Sequence, residues 1–223
     1  MKRNPSNTSY AVIGVGRFGS ALAETLAAAN YNIIVCDKDP ERVKAMRDIT
    51  PYAYVVDHIT KTALDEIGVR NCECAIVCIG SAMDVSILAA LHLVNLGIKR
   101  VIAKANSKEQ GQILEKIGAE VVYPEHDMGV RVAKRLMSAH LVDYFTLNDN
   151  TEIYEMKAPE SIIGKTVQEI DVRRNYGINI IAVEHGCQTI TDMGPEYRFH
   201  PDDGLVVIGN MRNIQDFEDK DRE

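Results

Sequence analysis

Ile13-Gly14-Val15-Gly16-Arg17-Phe18-Gly19 separates a short β-branched-rich apolar run, 10–15, from an amphipathic stretch over 18–29, and its reading decides the fold. In a G-x-G-x-x-G turn from strand to helix, the first glycine permits the tight turn, the second lets an anion approach the backbone, and the third lets helix and strand pack closely. The helix start then offers unpaired N–H groups and the positive end of a dipole, so the loop is expected to bind phosphate. Val35-Cys36-Asp37 ends the next apolar run, 18 residues beyond Gly19. A carboxylate there is placed to hold ribose hydroxyls. It would repel a ribose 2′-phosphate, which favours NAD, ATP or ADP over NADP. Lys38 beside it either softens that preference or is a solvated loop charge.

Outward from this loop, short apolar runs alternate with helical patterns. Strands are expected over 10–15, 33–36, 53–56, 75–79, 101–105 and 121–123, and helices over 18–29, 40–47, 62–67, 83–96 and 108–117. Asp39-Pro40 and Ser107 supply helix starts, and Gly97 and Gly118 supply stops. Strand, helix, strand repeated in this way predicts an α/β fold, a Rossmann-like doubly wound parallel sheet of six strands. Ligands of such sheets bind at the carboxyl edge. Asp57, Gly80-Ser81, Lys104 and Glu125 follow the later strands at that edge, with Lys104 a candidate phosphate or adenine contact. Arg17 adds a mobile cation that could neutralise phosphate or reach a nucleotide on a neighbouring subunit. Glu125 either caps a helix beginning near Asp127 or holds a hard divalent cation, Mg or Ca, bridging to phosphate.

A sixth helix is expected over 127–143. Val130, Ala133, Met137 and Leu141 form one apolar stripe, and Val132, Leu136 and Ala139 a second, so the helix would have two partners. The division into domains is expected at 145/146, with the polar cluster Asn148-Asp149-Asn150 marking it. Over 146–223 the pattern becomes a small α+β domain, with strands over 152–157, 178–184 and 205–208, a hairpin turn at 185–188, and helices over 166–170 and 213–217. About 70 residues make a marginal independent core, so this part is expected to lean on a partner.

Several function classes are disfavoured. No apolar run approaches the roughly 18 to 20 residues of a membrane span. The polar residues 1–7 do not form a signal peptide, which points to the cytoplasm. Residues 1–150 hold 17 basic and 17 acidic side chains and residues 151–223 hold 8 and 15, so neither part has the basic excess that nucleic-acid binding requires. Cys36, Cys72, Cys74, Cys78 and Cys187 lack paired metal spacing and read as reduced cysteines. The six histidines are scattered, and no nucleophile motif or general acid/base pair stands out. A binding protein is therefore expected, with a small NAD-dependent oxidoreductase as the alternative. A redox-sensing transcription repressor with a similar nucleotide fold would need a DNA-binding head, for which the polar residues before Tyr10 are expected to leave no room.

The motif at 13–19, with Val35-Cys36-Asp37, Lys104-Ala105 and Pro124-Glu125-His126-Asp127-Met128-Gly129, resembles the nucleotide-binding RCK (KTN, TrkA-N) domain of Ktr and Trk potassium-transport regulators. Ile163-Gly164-Lys165-Thr166, Asp171-Val172-Arg173, Tyr176-Gly177-Ile178-Asn179-Ile180-Ile181-Ala182 and Pro201-Asp202-Asp203 resemble the small TrkA-C domain that follows it. The chain looks most like a single-unit Ktr regulatory subunit. The resemblance implies a dimer-built octameric ring on the cytoplasmic face of a membrane potassium-translocating protein, gated by exchange of ATP and ADP, with NAD(H) the ligand in some relatives. By position it assigns the phosphates to Gly14, Gly16 and Gly19, the ribose to Asp37, the terminal phosphate across a dimer contact to Arg17 and a bridging cation to Glu125, with Phe18 also among the nucleotide-binding residues. The helix over 127–143 would link neighbouring subunits. Where relatives often carry Gly-Asp-Ala-Thr, this chain has Val56-Asp57-His58-Ile59, which leaves the adenosine contacts of Asp57 and His58 open. Asp171, Arg173, Ile178, Asn179 and Pro195 match positions that bind cyclic di-AMP in some relatives, or they serve ordinary dimer packing.

Overall fold

A computed structural model describes residues 8–137, 141–148 and 150–219. The chain forms two compact units, Met1–His126 and Asp127–Glu223.

In the first unit the alternation of the sequence becomes β1 (Ser9–Ile13), α1 (Arg17–Ala28), β2 (Asn32–Asp37), α2 (Pro40–Met46), β3 (Ala53–Val55), α3 (Lys61–Glu66), β4 (Cys74–Val77), α4 (Met83–Asn95), β5 (Arg100–Lys104), α5 (Lys108–Ile117) and β6 (Glu120–Val122). The six strands form one parallel sheet in the order β3-β2-β1-β4-β5-β6. The order reverses between β1 and β4, which opens the crevice of a doubly wound sheet beside the glycine loop.

Both faces of this sheet are covered, because successive side chains of a strand point to opposite sides. Ala11, Ile13, Ala75 and Val77 pack with Leu64 of α3, Ala89 and Leu93 of α4 and Leu114 of α5. Val12, Val35 and Ile76 pack instead with Ala23 of α1 and Met46 of α2. Helix ends follow local chemistry: Asp39 accepts from Glu41 N with Pro40 in the first turn, Ser107 accepts from Gln110 N, and Gly118 closes α5 at φ 99°. Cys36, Cys72 and Cys78 lie in these layers, where burial pushes their thiols up to about 12, 11 and 12. They behave as small hydrophobes, whereas Cys187 is exposed.

Helix α6 (Pro124–Met137) contains the division between the units. The second unit continues with β7 (Leu141–Asn148), β8 (Thr151–Lys157), α7 (Val167–Ile170), α8 (Val172–Tyr176), β9 (Asn179–His185), β10 (Gln188–Ile190), β11 (Gly204–Gly209) and α9 (Met211–Asp219). Its sheet is antiparallel, in the order β10-β9-β11-β8-β7. Phe199, Phe217, Met156, Leu205 and Ile214 fill the core beneath it.

Two expectations change here. The helix expected over 127–143 starts at Pro124, and Leu141, Val142 and Asp143 already belong to a strand; Ala139 lies outside the described residues. A boundary at 145/146 would cut β7, which pairs along its length with β8. Asn148 and Asn150 sit at the turn between these two strands, Asn148 Oδ1 accepting from Asn150 N at 3.0 Å. Polar turn residues mark a reversal equally well inside a hairpin and between domains, so the cluster misplaced the division.

Candidate functional site

The carboxyl ends of β1, β2 and β4 converge on Gly14. Its N–H donates to Cys36 O at 2.7 Å, and Cys78 N donates to Ile13 O at 2.8 Å. Gly14 adopts φ 95°, in the left-handed region that favours glycine, and a Cβ there would press on Ile79. Gly19 is needed for another reason: a Cβ on it would run into the Gly14 carbonyl oxygen. Gly16 differs from both. It is the residue before the first turn of α1, with ordinary extended φ and ψ, and no backbone lies near its missing Cβ. The loop is thus tight where helix meets strand and open where an anion would approach. No side chain caps the start of α1, so its first N–H groups are left without a side-chain acceptor.

Asp37 is buried at the end of β2. Its Oδ2 accepts Val15 N at 2.8 Å and its Oδ1 accepts Asp39 N at 3.0 Å, so the carboxylate fastens the glycine loop to the β2–α2 turn. A carboxylate has about four acceptor positions, so two remain for ribose hydroxyls. Lys38, Asp57 and His58 are exposed at the same edge.

On the other side of the crevice, Lys104 is buried at the end of β5, its Nζ lying 3.3 Å from where a Gly80 side chain would begin. It pairs with Glu125, an exposed residue in the first turn of α6. The Lys104 hydrogen bond and, from further off, the Arg17 charge hold the Glu125 carboxyl below its ordinary value. Asn106 was not foreseen from the sequence: its Nδ2 donates to Gly80 O at 2.6 Å, and its N–H donates to Gln110 Oε1 at 2.9 Å. Only its position two residues beyond a strand-end lysine could have marked it. The first unit therefore gathers Gly14, Gly16, Gly19 and Asp37 at one focus, with Arg17 and Phe18 on the first turn of α1. Gly80, Lys104 and Glu125 form a second cluster at the carboxyl edge. Among the described residues, no three His, Cys, Asp or Glu side chains form a metal site.

In the second unit, Asp171, Arg173 and Asn179 line an open cavity of about 290 Å³ together with Thr191 and Asp192. Asp171 occupies the left-handed region at φ 42°. Ile178 is separated from this group, fully buried against Gly209, and Pro195 is exposed with its carbonyl accepting Gln168 N.

The TrkA-N domain family model matches residues 10–124 and the TrkA-C domain model matches residues 152–221. The Ktr system potassium uptake protein C of Bacillus subtilis (strain 168) is 34% identical over 210 residues, covering 94% of this chain and 95% of that protein. Protein A of the same organism's Ktr system is 32% identical over 215 residues, covering 96% and 97%. Among solved structures, the TrkA-N domain of the Escherichia coli inner membrane protein YbaL aligns at TM-score 0.53 and 20% identity, over 59% of this chain and 97% of that one. A GsuK channel structure aligns at TM-score 0.52 and 21% identity, over 99% of this chain and 39% of that one. These structural likenesses concern the fold. With both domain models in order and two relatives above 30% identity over almost their whole length, the chain belongs to the TrkA-N/TrkA-C family of Ktr system potassium uptake proteins.

Proposed function

We propose that this chain is a nucleotide-sensing regulatory subunit that gates a membrane potassium-translocating partner of the Ktr type. The observation that carries the reading is the open Gly16 face bound to a buried Asp37, on a chain similar over nearly its whole length to Ktr potassium uptake proteins. Adenine nucleotides fit this arrangement, with the ribose at Asp37, the adenine toward Lys38, Asp57 and His58, and phosphates at Gly14, Gly16, Phe18 and Gly19. ATP and ADP are the proposed pair, and NAD(H) the alternative occupant.

Lys104 has two potential partners in this reading. With the nucleotide bound, its ammonium would turn to phosphate. Glu125 would then hold a Mg or Ca ion that keeps most of its ligands from phosphate and water. The carboxylate is exposed and lies in the first turn of α6, which suits such an exchange. Arg17, exposed beside the loop, would reach the terminal phosphate on a neighbouring subunit. Gating requires only that the two nucleotides bind two ring shapes unequally, so no chemical step is needed.

Assembly into dimers and an octameric ring, docked peripherally at the cytoplasmic face through the membrane partner, completes the proposal. Exposed Val130 and Met137 on one side of α6, and Val132 and Leu136 on another, supply apolar surface for a neighbouring subunit. The cavity at Asp171, Arg173 and Asn179 supports cyclic di-AMP as a second ligand, because it places a guanidinium and an amide in one recess.

Calorimetry of the purified chain with ATP, ADP and NADH tests the nucleotide reading, and absence of binding by all three overturns it. Potassium flux through the reconstituted partner, compared with ATP and with ADP, tests gating. Turnover of NADH with an acceptor would instead favour the oxidoreductase.

A further inference from the structure

Arg42 lies on α2, 26 residues beyond Gly16, and belongs to no sequence motif. Its side chain folds back toward the glycine loop. Nη1 is 3.7 Å from Asp37 Oδ2, Nε is 3.4 Å from Asp39 Oδ2, and Nη1 is 3.8 Å from where a Gly16 side chain would begin. The guanidinium therefore stands between the ribose-holding acid and the open face of the second glycine, with about half of its side chain exposed.

We infer that Arg42 is a further binding and specificity residue, a ligand of the 5′-phosphate nearest the ribose. The inference rests on the nucleotide reading above. A nucleotide with its hydroxyls at Asp37 and its first phosphate over Gly16 has that phosphate beside the guanidinium, because Arg42 already spans the two positions. Neither contact with the acids is short: at 3.4 and 3.7 Å both exceed the 2.7–2.9 Å of a tight charge-assisted hydrogen bond. The guanidinium is thus held in place without being saturated, and its remaining N–H groups are available to phosphate. Asp37 has its own support from Val15 N and Asp39 N, so Arg42 can turn to a ligand without leaving Asp37 unpaired. Arg42 and Arg17 would then divide the polyphosphate. Arg42 reads the phosphate every 5′-nucleotide carries, and Arg17 the terminal one.

The test is calorimetry of the full chain with adenosine, 5′-AMP, 2′-AMP, ADP and ATP, in the native protein and in Arg42→Ala. The expected result is that 5′-AMP, ADP and ATP each weaken by about tenfold, while adenosine is unchanged. Equal loss for adenosine would make Arg42 a structural support and overturn the inference. So would a loss confined to 2′-AMP, which would place the guanidinium on a ribose phosphate. Removing a cation also lowers anion affinity at a distance, and the pair Arg42→Ala with Asp39→Asn removes that ambiguity because it conserves net charge. Persistence of the loss in the pair supports direct contact, and recovery to native affinity overturns it. If the native protein binds none of the phosphorylated nucleotides, the nucleotide reading itself has failed. If it binds them and Arg42→Ala binds them equally, only this inference has.

Discussion

Asp37 Oδ2 accepts the backbone N–H of Val15 at 2.8 Å, across 22 residues of sequence, so the acid proposed to hold ribose also holds the glycine loop in shape before any ligand arrives. The two roles can be separated experimentally. Asp37→Ala leaves the N–H groups of Val15 and Asp39 without their acceptor, and a lost buried acceptor costs about 1–3 kcal/mol. Asp37→Asn keeps a carbonyl oxygen for one of them, sets an amide NH2 against the other, and loses the charge. Thermal unfolding followed by circular dichroism is expected to drop clearly for the alanine variant and less for asparagine, while nucleotide affinity falls in both. Equal unfolding midpoints for the native protein and Asp37→Ala would show that the loop does not depend on this bond.

Gly16 and Gly19 should respond differently to the same added methyl group. A Cβ on Gly19 meets the Gly14 carbonyl oxygen and carbon with Cys78 Cβ close by, which leaves little room to relax. Gly19→Ala is expected to destabilise the first unit by about 3 kcal/mol, at the upper end of the overpacking range. A Cβ on Gly16 meets only the tip of Arg42, at ordinary contact distance. Gly16→Ala should therefore unfold as the native protein does and bind nucleotide at least tenfold more weakly, because the methyl occupies the path of the phosphate. Calorimetry and a melting curve on both variants give the contrast. Retained affinity in Gly16→Ala would move the phosphate away from this loop.

The first unit was legible because each strand is short, apolar and bounded, and because Asp39-Pro40, Ser107 and Gly118 are local signals that the chain obeys. The second unit was less so. Leu141 falls in register with the apolar stripe of α6, so helical periodicity runs on into residues that pair as β7. Phe145 and Leu147 on that edge strand are exposed, which removes the alternation that marks a half-buried strand. At the site, the glycines and Asp37 announce themselves by spacing. Arg42 and Asn106 do not, because their positions follow from how α2 and the β5–α5 turn fold back, and no periodicity encodes that.

Asp203 forms the polar centre of the second unit. Its side chain is fully buried, and it accepts from Tyr197 Oη at 2.8 Å and His200 N at 2.9 Å, with His185 Nδ1 at 2.7 Å. Burial alone would raise its pKa, but these hydrogen bonds outweigh it and hold the carboxyl below the ordinary 3.8. A depressed native pKa contributes stability that is present above the unfolded value and is lost as pH falls through the native one. Burial and the same hydrogen bond push the Tyr197 phenol up to about 12. Asp203→Asn is expected to be less stable than the native protein at pH 7, and the gap should narrow as pH falls below about 3.8. Urea unfolding of both proteins at pH 7, 5 and 3 measures it. A gap that stays constant down to pH 3 would show that the charge of Asp203 contributes nothing.

Glu152 tests whether an ion pair or its mere replacement matters. Its Oε1 accepts from Lys134 Nζ at 2.8 Å and from Thr146 Oγ1 at 3.3 Å, while its Oε2 is buried with no hydrogen-bond partner among the described residues. The Lys134 ammonium also lies 3.9 Å from the centre of the Tyr144 ring, so one cation serves both groups. Removing it strands a buried carboxylate. Lys134→Met is expected to lose about 3 kcal/mol, the lower end for breaking a buried pair, because Lys134 itself is a quarter exposed. Replacing both partners by apolar residues removes the charge that must be compensated. Lys134→Met combined with Glu152→Leu should therefore recover most of that loss, since an orphaned oxygen disappears with the acid. Urea unfolding of the single and double variants decides between the two. If the double variant is as unstable as Lys134→Met alone, the penalty comes from the lost contact of the ammonium with the Tyr144 ring and not from the stranded charge.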